Sequence, residues 1–575
     1  SSRRLGCAIG EERQALPKRR CCVSMKFSAS DPELTALAKN ASSNESYQTF
    51  QESQQPRTFL PPLNAQSAAD TPYRNESDDD GGDDDFWDAS REELLAQADN
   101  FTLPFDAERG YRGIGLKFFS FSRPHMRAFH ASWMCYFTSF FVQFSQAPLL
   151  PEIKESLNLS KSDLWWTNCW MMLGGVPMRF LLGPLCDKYG ARSTMTLVVA
   201  LAAIPAALTG LVATDLTTLT VARLLLGAMD SFVPQQFWIT CMFVREVGGT
   251  AMAITGGLGA VGSGCVQLVT GSLLFPFVRA YLTDGDSDLA WRLTLLVPAL
   301  LALVVAWFFY SYSDDCPLGN YGDVKKAGLM IERSAMDSFR QGAFNLNSWI
   351  LFAQYMGSCG VDFTMCNGAA IYYHYRFGQS IAASAALGFL YGMSALFARA
   401  MGGWLSDAFG NRFSLQGRLW ANLLCLMVQG MLNLWFARTD QLVPSILIMV
   451  AWSIMIQMSS GTTYGIVPFV DGPNTGSVAG IVGAGGNVGG AILAVVFMKT
   501  EYETAMTVMG FLTIFTALLT PFVIVPGYRG ICFGKEASPE ENKQHSPLLV
   551  PGKLGASPHL VSLQKKRVAA RKQRH

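Results

Sequence analysis

From residue 123 onward the chain is a succession of apolar runs of about twenty residues, the length a helix needs to cross ~30 Å of hydrocarbon. They lie at approximately 127–150, 164–186, 193–213, 216–242, 250–273, 291–311, 348–373, 382–406, 418–437, 442–467, 477–498 and 504–526. A chain in lipid must satisfy its own backbone N–H and C=O groups, so each run is predicted to be a helix. The longest polar gap, 312–347, divides them into two sets of six. Charged residues make up 15% of the chain, where a soluble domain carries about a quarter. The expected fold class is an all-α membrane protein, with twelve transmembrane helices in two pseudo-symmetric six-helix bundles.

The remaining sequence suggests the domain layout. Residues 1–120 are polar and acidic, with "SDDDGGDDDFWD" at 77–88, and hold too little apolar surface to offset the entropy of ordering. They are expected to be largely disordered and cytosolic, with the acid run a solvated tail. A first bundle at 121–311, a cytosolic linker at 312–347, a second bundle at 348–527 and a basic tail at 528–575 follow. The basic connections "CDKYGAR" (186–192), "KKAGLMIERSAMDSFR" (325–340) and "NRFSLQGR" (411–418) share one side with both termini, which predicts that side to be cytosolic. Asn158 begins a glycosylation sequon in the first outer loop. Residues 1–24 lack the apolar core of a signal peptide, and Met25 is a plausible start. The 13 cysteines show no metal-ligand spacing and no disulfide framework, and those inside apolar runs act as small hydrophobes. No nucleotide loop, metal cluster or nucleophile constellation is present in the sequence, so no cofactor, no nucleic-acid partner and no enzyme activity are expected.

An internal repeat locates the candidate site. "MRFLLGPLCDKYGAR" and "ARAMGGWLSDAFGNR" (398–412) place Arg179, Gly183, Asp187, Gly190 and Arg192 at the spacing of Arg399, Gly403, Asp407, Gly410 and Arg412. Transporters built from two such halves hold substrate at their interface. Arg179 lies about 12 Å along the helix from Asp187, at 1.5 Å per residue, close to the midplane. Arg399 shares that depth, and a charge there usually marks a pathway or a ligand site. Two arginines facing each other across a pore repel unless an anion sits between them, and their forked planar donors suit an oxyanion. The plainer alternative is that each pairs with a buried acid, Asp230 or Asp362. Gly183 and Gly403 would let another helix approach.

A second repeat supports the anion reading. "ITGGLGAVGSG" (254–264) aligns with "IVGAGGNVGG" (481–490). Each helical glycine costs roughly 1 kcal/mol relative to alanine, so close packing, backbone exposed to a ligand, or both must offset it.

With "RFLLGPLCDKYGAR", "FVPQQFW" (232–238), "GGLGAVGSGCVQL" (256–268), "DDCPLGNY" (314–321) and "GIVGAGGNVGG" (480–490), the chain resembles the nitrate/nitrite porter family of the major facilitator superfamily, near the eukaryotic high-affinity nitrate transporters. The resemblance runs from about Asn100 to about Gly530 and implies twelve helices with alternating access. It maps the substrate arginines onto Arg179 and Arg399, flanking rings onto Phe232 and Tyr355, and signature positions onto Gly259, Gly486 and Asn487. Ala260 stands where the family's first signature usually has Asn. Cys359 stands where relatives often have Phe, and Asp362 where the family often has Glu.

The implied function is nitrate import, with nitrite as a further substrate, by proton symport through the lipid bilayer. The implied membrane is the plasma membrane, and plant relatives often work with an accessory membrane subunit. Asp362 and Asp230 are the proton-coupling candidates, with charge balance for the arginines as the alternative. Asp187, Arg192, Asp407 and Arg412 resemble the superfamily's gating motif. The competing classes are an organic-anion or phosphate-ester antiporter of the same fold and a nitrate receptor that binds without transporting.

Overall fold

The computed structural model describes residues 98–107, 109–326, 335–471 and 474–534. Residues 1–97, the centre of the linker and the tail beyond 534 lie outside the described residues, and so does most of what the sequence assigns to an acidic head and a basic tail.

Helix α1 is His125–Gln143. α2, Lys161–Tyr189, opens on a capping box in which Ser160 and Asp163 each accept the other's backbone N–H. Gly190, with φ of 88°, turns the chain directly into α3, Ala191–Val212. A side chain at Gly190 would strain that backbone and meet Asp315 Oδ1 at 2.8 Å. α4 is broken into Leu216–Ala228 and Phe232–Met242. α5 runs from Arg245–Val266 through a π-helical stretch, Gln267–Leu274, into Phe275–Tyr281. α6 comprises Ser287–Thr294 and Leu296–Tyr312. α7 is Leu346–Tyr355, a second π-helical stretch at Met356–Gly360, and Val361–Phe377.

The stretch Ile381–Met393 leads into Ala395–Ala437, inside which Phe413 and Ser414 leave helical geometry. Gly417 packs back against the Phe409 carbonyl, so the chain reverses there. α8 precedes that reversal and α9 follows it. α10 is Leu442–Val470, α11 is Thr475–Lys499 and α12 is Tyr502–Ala517.

Nine stretches among the described residues are long and apolar enough to cross a membrane, and one of them, Ile381–Ala437, holds both α8 and α9. α1 and α7 complete the twelve predicted spans. Those two are more polar because they face inward, burying His130, Ser139 and Gln143, and Gln354, Asp362 and Asn367. Leu197, Leu211, Leu300, Trp307, Trp404 and Leu447 point outward instead, an apolar belt suited to lipid tails.

Both described chain ends lie at one end of the bundle, here the terminal end. At the opposite, far end the two sets of helices are stitched together. Trp165 stacks on Phe497 at 4.4 Å, Lys161 Nζ donates to the Thr500 carbonyl at 2.8 Å and Gln267 Nε2 to the Cys366 carbonyl at 2.7 Å. Within each set, glycines let helices touch: methyl groups at Gly174 and Gly227 would collide with α4 and α2 backbones, and at Gly402 and Gly461 with α10 and α8 backbones. Gly183 and Gly403 do not serve this purpose. A methyl group at Gly183 meets nothing within 4 Å, and one at Gly403 meets Ala253 at 3.8 Å.

Residues 98–107 and 109–122, at the end of the stretch expected to be largely disordered, include a small hairpin. Phe105–Asp106 (β1) pairs antiparallel with Arg112–Gly113 (β2). Their anchors are apolar: Ala98, Phe101, Phe105 and Tyr111 pack with Cys316, Leu318, Tyr321 and Val324 after α6. Val244 N–H donates to the Gly113 carbonyl at 3.1 Å, and Arg123 grips Asp314 through Nε and Nη2 at 3.1 and 2.7 Å.

Candidate functional site

Arg179 sits on α2 with its side chain 1% exposed. Its Nη2 lies 2.5 Å from Asp230 Oδ2. The break in α4 makes this possible: residues 229–231 leave the helix, and Asp230 Oδ1 accepts the N–H of Phe232 at the start of the next segment, 2.9 Å away. A carboxylate is stabilised at a helix N-terminus, so one acid both caps α4 and neutralises Arg179. The Phe232 ring lies 4.4 Å from the guanidinium, in cation–π range. Nε and Nη1 of Arg179 have no hydrogen-bond partner among the described residues. The expected pair of open arginines is therefore corrected on this side: Arg179 is in the acid pair that was the plainer alternative.

Arg399 on α8 is different. Among the described residues no carboxylate oxygen comes within 4 Å of it, and its Nε has no partner. Tyr355, Tyr136, Cys359, Asp362 and Tyr464 are among the ionisable groups within its electrostatic reach. Asp362, on α7, accepts from Tyr391 Oη at 3.1 Å and Gln457 Nε2 at 2.9 Å. It is buried and held by neutral donors, not by an arginine fork.

A chain of aromatic rings connects the two arginines. Tyr136 lies 6.1 Å from Phe232, Phe232 lies 5.4 Å from Tyr464, and Tyr464 lies 5.1 Å from Tyr355. The signature glycines make room for these rings. A methyl group at Gly259 would strike the Tyr136 ring at 2.1 Å, and one at Gly486 would meet Cys359 Sγ at 2.8 Å and Tyr355 at 3.4 Å. At Gly483 it would meet Arg179 Nη1 at 3.0 Å and Tyr464 Oη at 3.1 Å. Asn487 donates to the Met172 carbonyl at 3.3 Å, and its Oδ1 has no partner among the described residues. Gly175 on α2 leaves space for that amide. Tyr136, Tyr464, Gly175 and Gly483 escaped the sequence reading. An uncharged Tyr in an apolar run carries no local signal; Gly483 lay inside the glycine motif but was not singled out.

At the terminal end, Arg192 and Asp407 are held by residues outside the repeat. Arg192 donates its backbone N–H to Asp315 Oδ1 at 2.7 Å, and its guanidinium to Ser313 O and Asn320 Oδ1 at 2.8 and 2.9 Å. Burial pushes the Asp315 carboxyl above its usual range, while the Arg192 charge pulls it down. Asp407 pairs with Arg418 at 2.6 Å, and Arg412 lies over its neighbour Phe413. These partners come from segments the repeat does not include. The side chain of Asp187 lies outside the described residues. His374 ends in a local contact with the Gln379 carbonyl at 2.8 Å.

The Major Facilitator Superfamily profile matches residues 132–494. High affinity nitrate transporter 2.7 of Arabidopsis thaliana is 32% identical over 466 residues, spanning 78% of this chain and 93% of that protein. The chain belongs to the nitrate/nitrite porter family of the major facilitator superfamily. Nitrate transporter 2.1 of Chlamydomonas reinhardtii is 33% identical over 439 residues, or 73% of this chain and 78% of that one. The porter fold also matches the crystal structure of a bacterial homologue of the human lysosomal transporter Spinster, inward-facing and unoccupied. The TM-score is 0.53 at 16% identity, over 69% of this chain and 97% of that one. That likeness concerns the fold alone. The sequence relatives are named as transporters, and this multi-pass porter is not an enzyme.

Proposed function

We propose that this chain imports nitrate, with nitrite as a further substrate, by proton symport and alternating access around Arg179 and Arg399. The observation that carries the proposal is Arg399, a buried guanidinium with no carboxylate against it among the described residues, beside rings that can stack on a flat ion. The names of the relatives supply the identity of the ion. Phe232, Tyr355, Gly259, Gly486 and Asn487 form the walls of the proposed seat. Bundles at 121–311 and 348–527 would rock about it, with the terminal end in the cytosol of a plasma-membrane protein.

The charges suggest how protons couple. Asp230 is committed to Arg179, which leaves Asp362 as the favoured proton carrier. With Asp362 ionised, Arg399 has a partial counter-charge nearby. With Asp362 protonated, the site carries an uncompensated positive charge and attracts an anion. Proton and nitrate therefore promote each other's binding. Import against a negative interior costs about 2.3 kcal/mol per charge per 100 mV, so a co-transported proton offsets that term.

The test is tracer uptake into vesicles containing the purified chain, with and without a candidate accessory subunit. Nitrate uptake should rise steeply with an inward proton gradient. Binding without flux would favour a receptor, and exchange of phosphate esters with no nitrate flux would favour an antiporter.

A further inference from the structure

Arg223 lies in the first segment of α4, with 1% of its surface exposed. Nη1 donates to Thr167 Oγ1 at 3.2 Å, and Nη2 to Met171 Sδ at 3.2 Å and Asn367 Oδ1 at 2.8 Å. Nε has no partner. No carboxylate among the described residues forms an ion pair with it. A hydroxyl, a thioether and an amide thus hold a permanent charge inside the bundle, where buried charges are normally paired or functional. α10, the matching helix of the other half, carries no charged residue between Leu442 and Val470. The feature is not a by-product of the repeat.

Its partners lie on both sides of the seam. Thr167 and Met171 are one turn apart on α2, in the same half as α4. Asn367 is on α7, in the other half, and its Nδ2 is tied to the Phe363 carbonyl at 3.1 Å, which aims Oδ1 across the seam. This link belongs to the far-end stitching that includes Trp165–Phe497 and Gln267–Cys366. When the far end opens, α7 moves away from α2 and α4. Arg223 keeps its two α2 acceptors and loses Asn367. A guanidinium edge then faces the opening with its strongest acceptor gone.

We propose that Arg223 is an entry station for the transported anion, latched to Asn367 while the far end is closed and exposed to the incoming ion when it opens. This rests on the import reading above, with the far end facing outward. An oxygen of nitrate takes the position vacated by Asn367 Oδ1. The station is eight residues from Arg179 at its Met171 contact, about 12 Å along α2 at 1.5 Å per residue. One step along a common helix therefore delivers the ion to the central site. Return of Asn367 displaces the ion inward and closes the latch.

The test uses full-length chain in vesicles, with nitrate presented separately at each face. Arg223→Gln should raise KM for uptake from the far end about tenfold or more while KM for entry from the terminal end stays unchanged, because a station on one path loses binding there alone. Arg223→Lys should fall between, keeping the charge without the fork. Asn367→Asp strengthens the latch, and should lower maximal uptake about tenfold without raising KM. A purely structural Arg223 would instead reduce entry from both faces equally, and that result overturns the proposal. So does an unchanged far-side KM in Arg223→Gln, provided the wild-type vesicles carry nitrate. Wild-type vesicles that carry none overturn the import reading and this one with it. If Arg223→Gln fails to fold, unchanged kinetics in both Arg223→Lys and Asn367→Asp are decisive against the station.

Discussion

Arg179 and Arg399 occupy the same place in the repeated stretch, yet one is neutralised by Asp230 and the other meets no acid at ion-pair distance among the described residues. The repeat copies the backbone and the position of each arginine on its helix. Charge balance comes from neighbouring helices, and these have diverged. α4 breaks at 229–231 and offers an acid at a helix start, whereas α10 runs unbroken from Leu442 to Val470 with no acid in it. A pseudo-symmetric scaffold can therefore hold one anchored arginine beside one that is free to seek an anion.

The largest expected effect is on the anchored side. Asp230→Asn keeps an oxygen for the Phe232 N–H but leaves Arg179 buried without its counter-charge, a loss of about 3–5 kcal/mol. Thermal unfolding in detergent should show a marked drop, and an unchanged melting point would break the contrast. On the open side, Arg399→Gln should spare stability and reduce nitrate uptake about a hundredfold, or about 2.8 kcal/mol at 1.4 kcal/mol per factor of ten. Uptake normalised to surface abundance measures it. Asp362→Asn breaks no ion pair, so its stability cost should stay within about 1 kcal/mol. Its signature should be uptake that no longer responds to the proton gradient. Smallest are two glycine changes. Gly483→Ala crowds Arg179 Nη1 and Tyr464, and should raise KM a few-fold, since neighbours must yield by tenths of an ångström. Gly183→Ala faces open space and should be neutral, or stabilise the helix by up to about 1 kcal/mol.

The sequence carried the frame well because length and apolarity alone decide what can cross a bilayer, and the repeat registers one half against the other. It also singled out Arg179 and Arg399, and both are buried. It could not show which arginine keeps an acid, since Asp230 and Asp362 are equally buried on hydropathy and their partners depend on how helices are turned. The terminal-end partners were illegible for the same reason: Arg192 reaches Asp315 and Asp407 reaches Arg418, residues outside the motif. Gly183 and Gly403 recur in sequence but the tight crossings use Gly174, Gly227, Gly402 and Gly461. A repeat spacing identifies a turn of helix, not the neighbour it meets.

The small hairpin at 105–113 has its described fastenings on α1, on the junction of α4 and α5, and on the segment after α6. In the proposed alternating-access cycle it would be a passenger of one rocking body. A fluorophore on its exposed turn, paired with a quencher on the terminal side of the other body, would report each stroke of the transport cycle as a change in light, with no label placed near the ion's path.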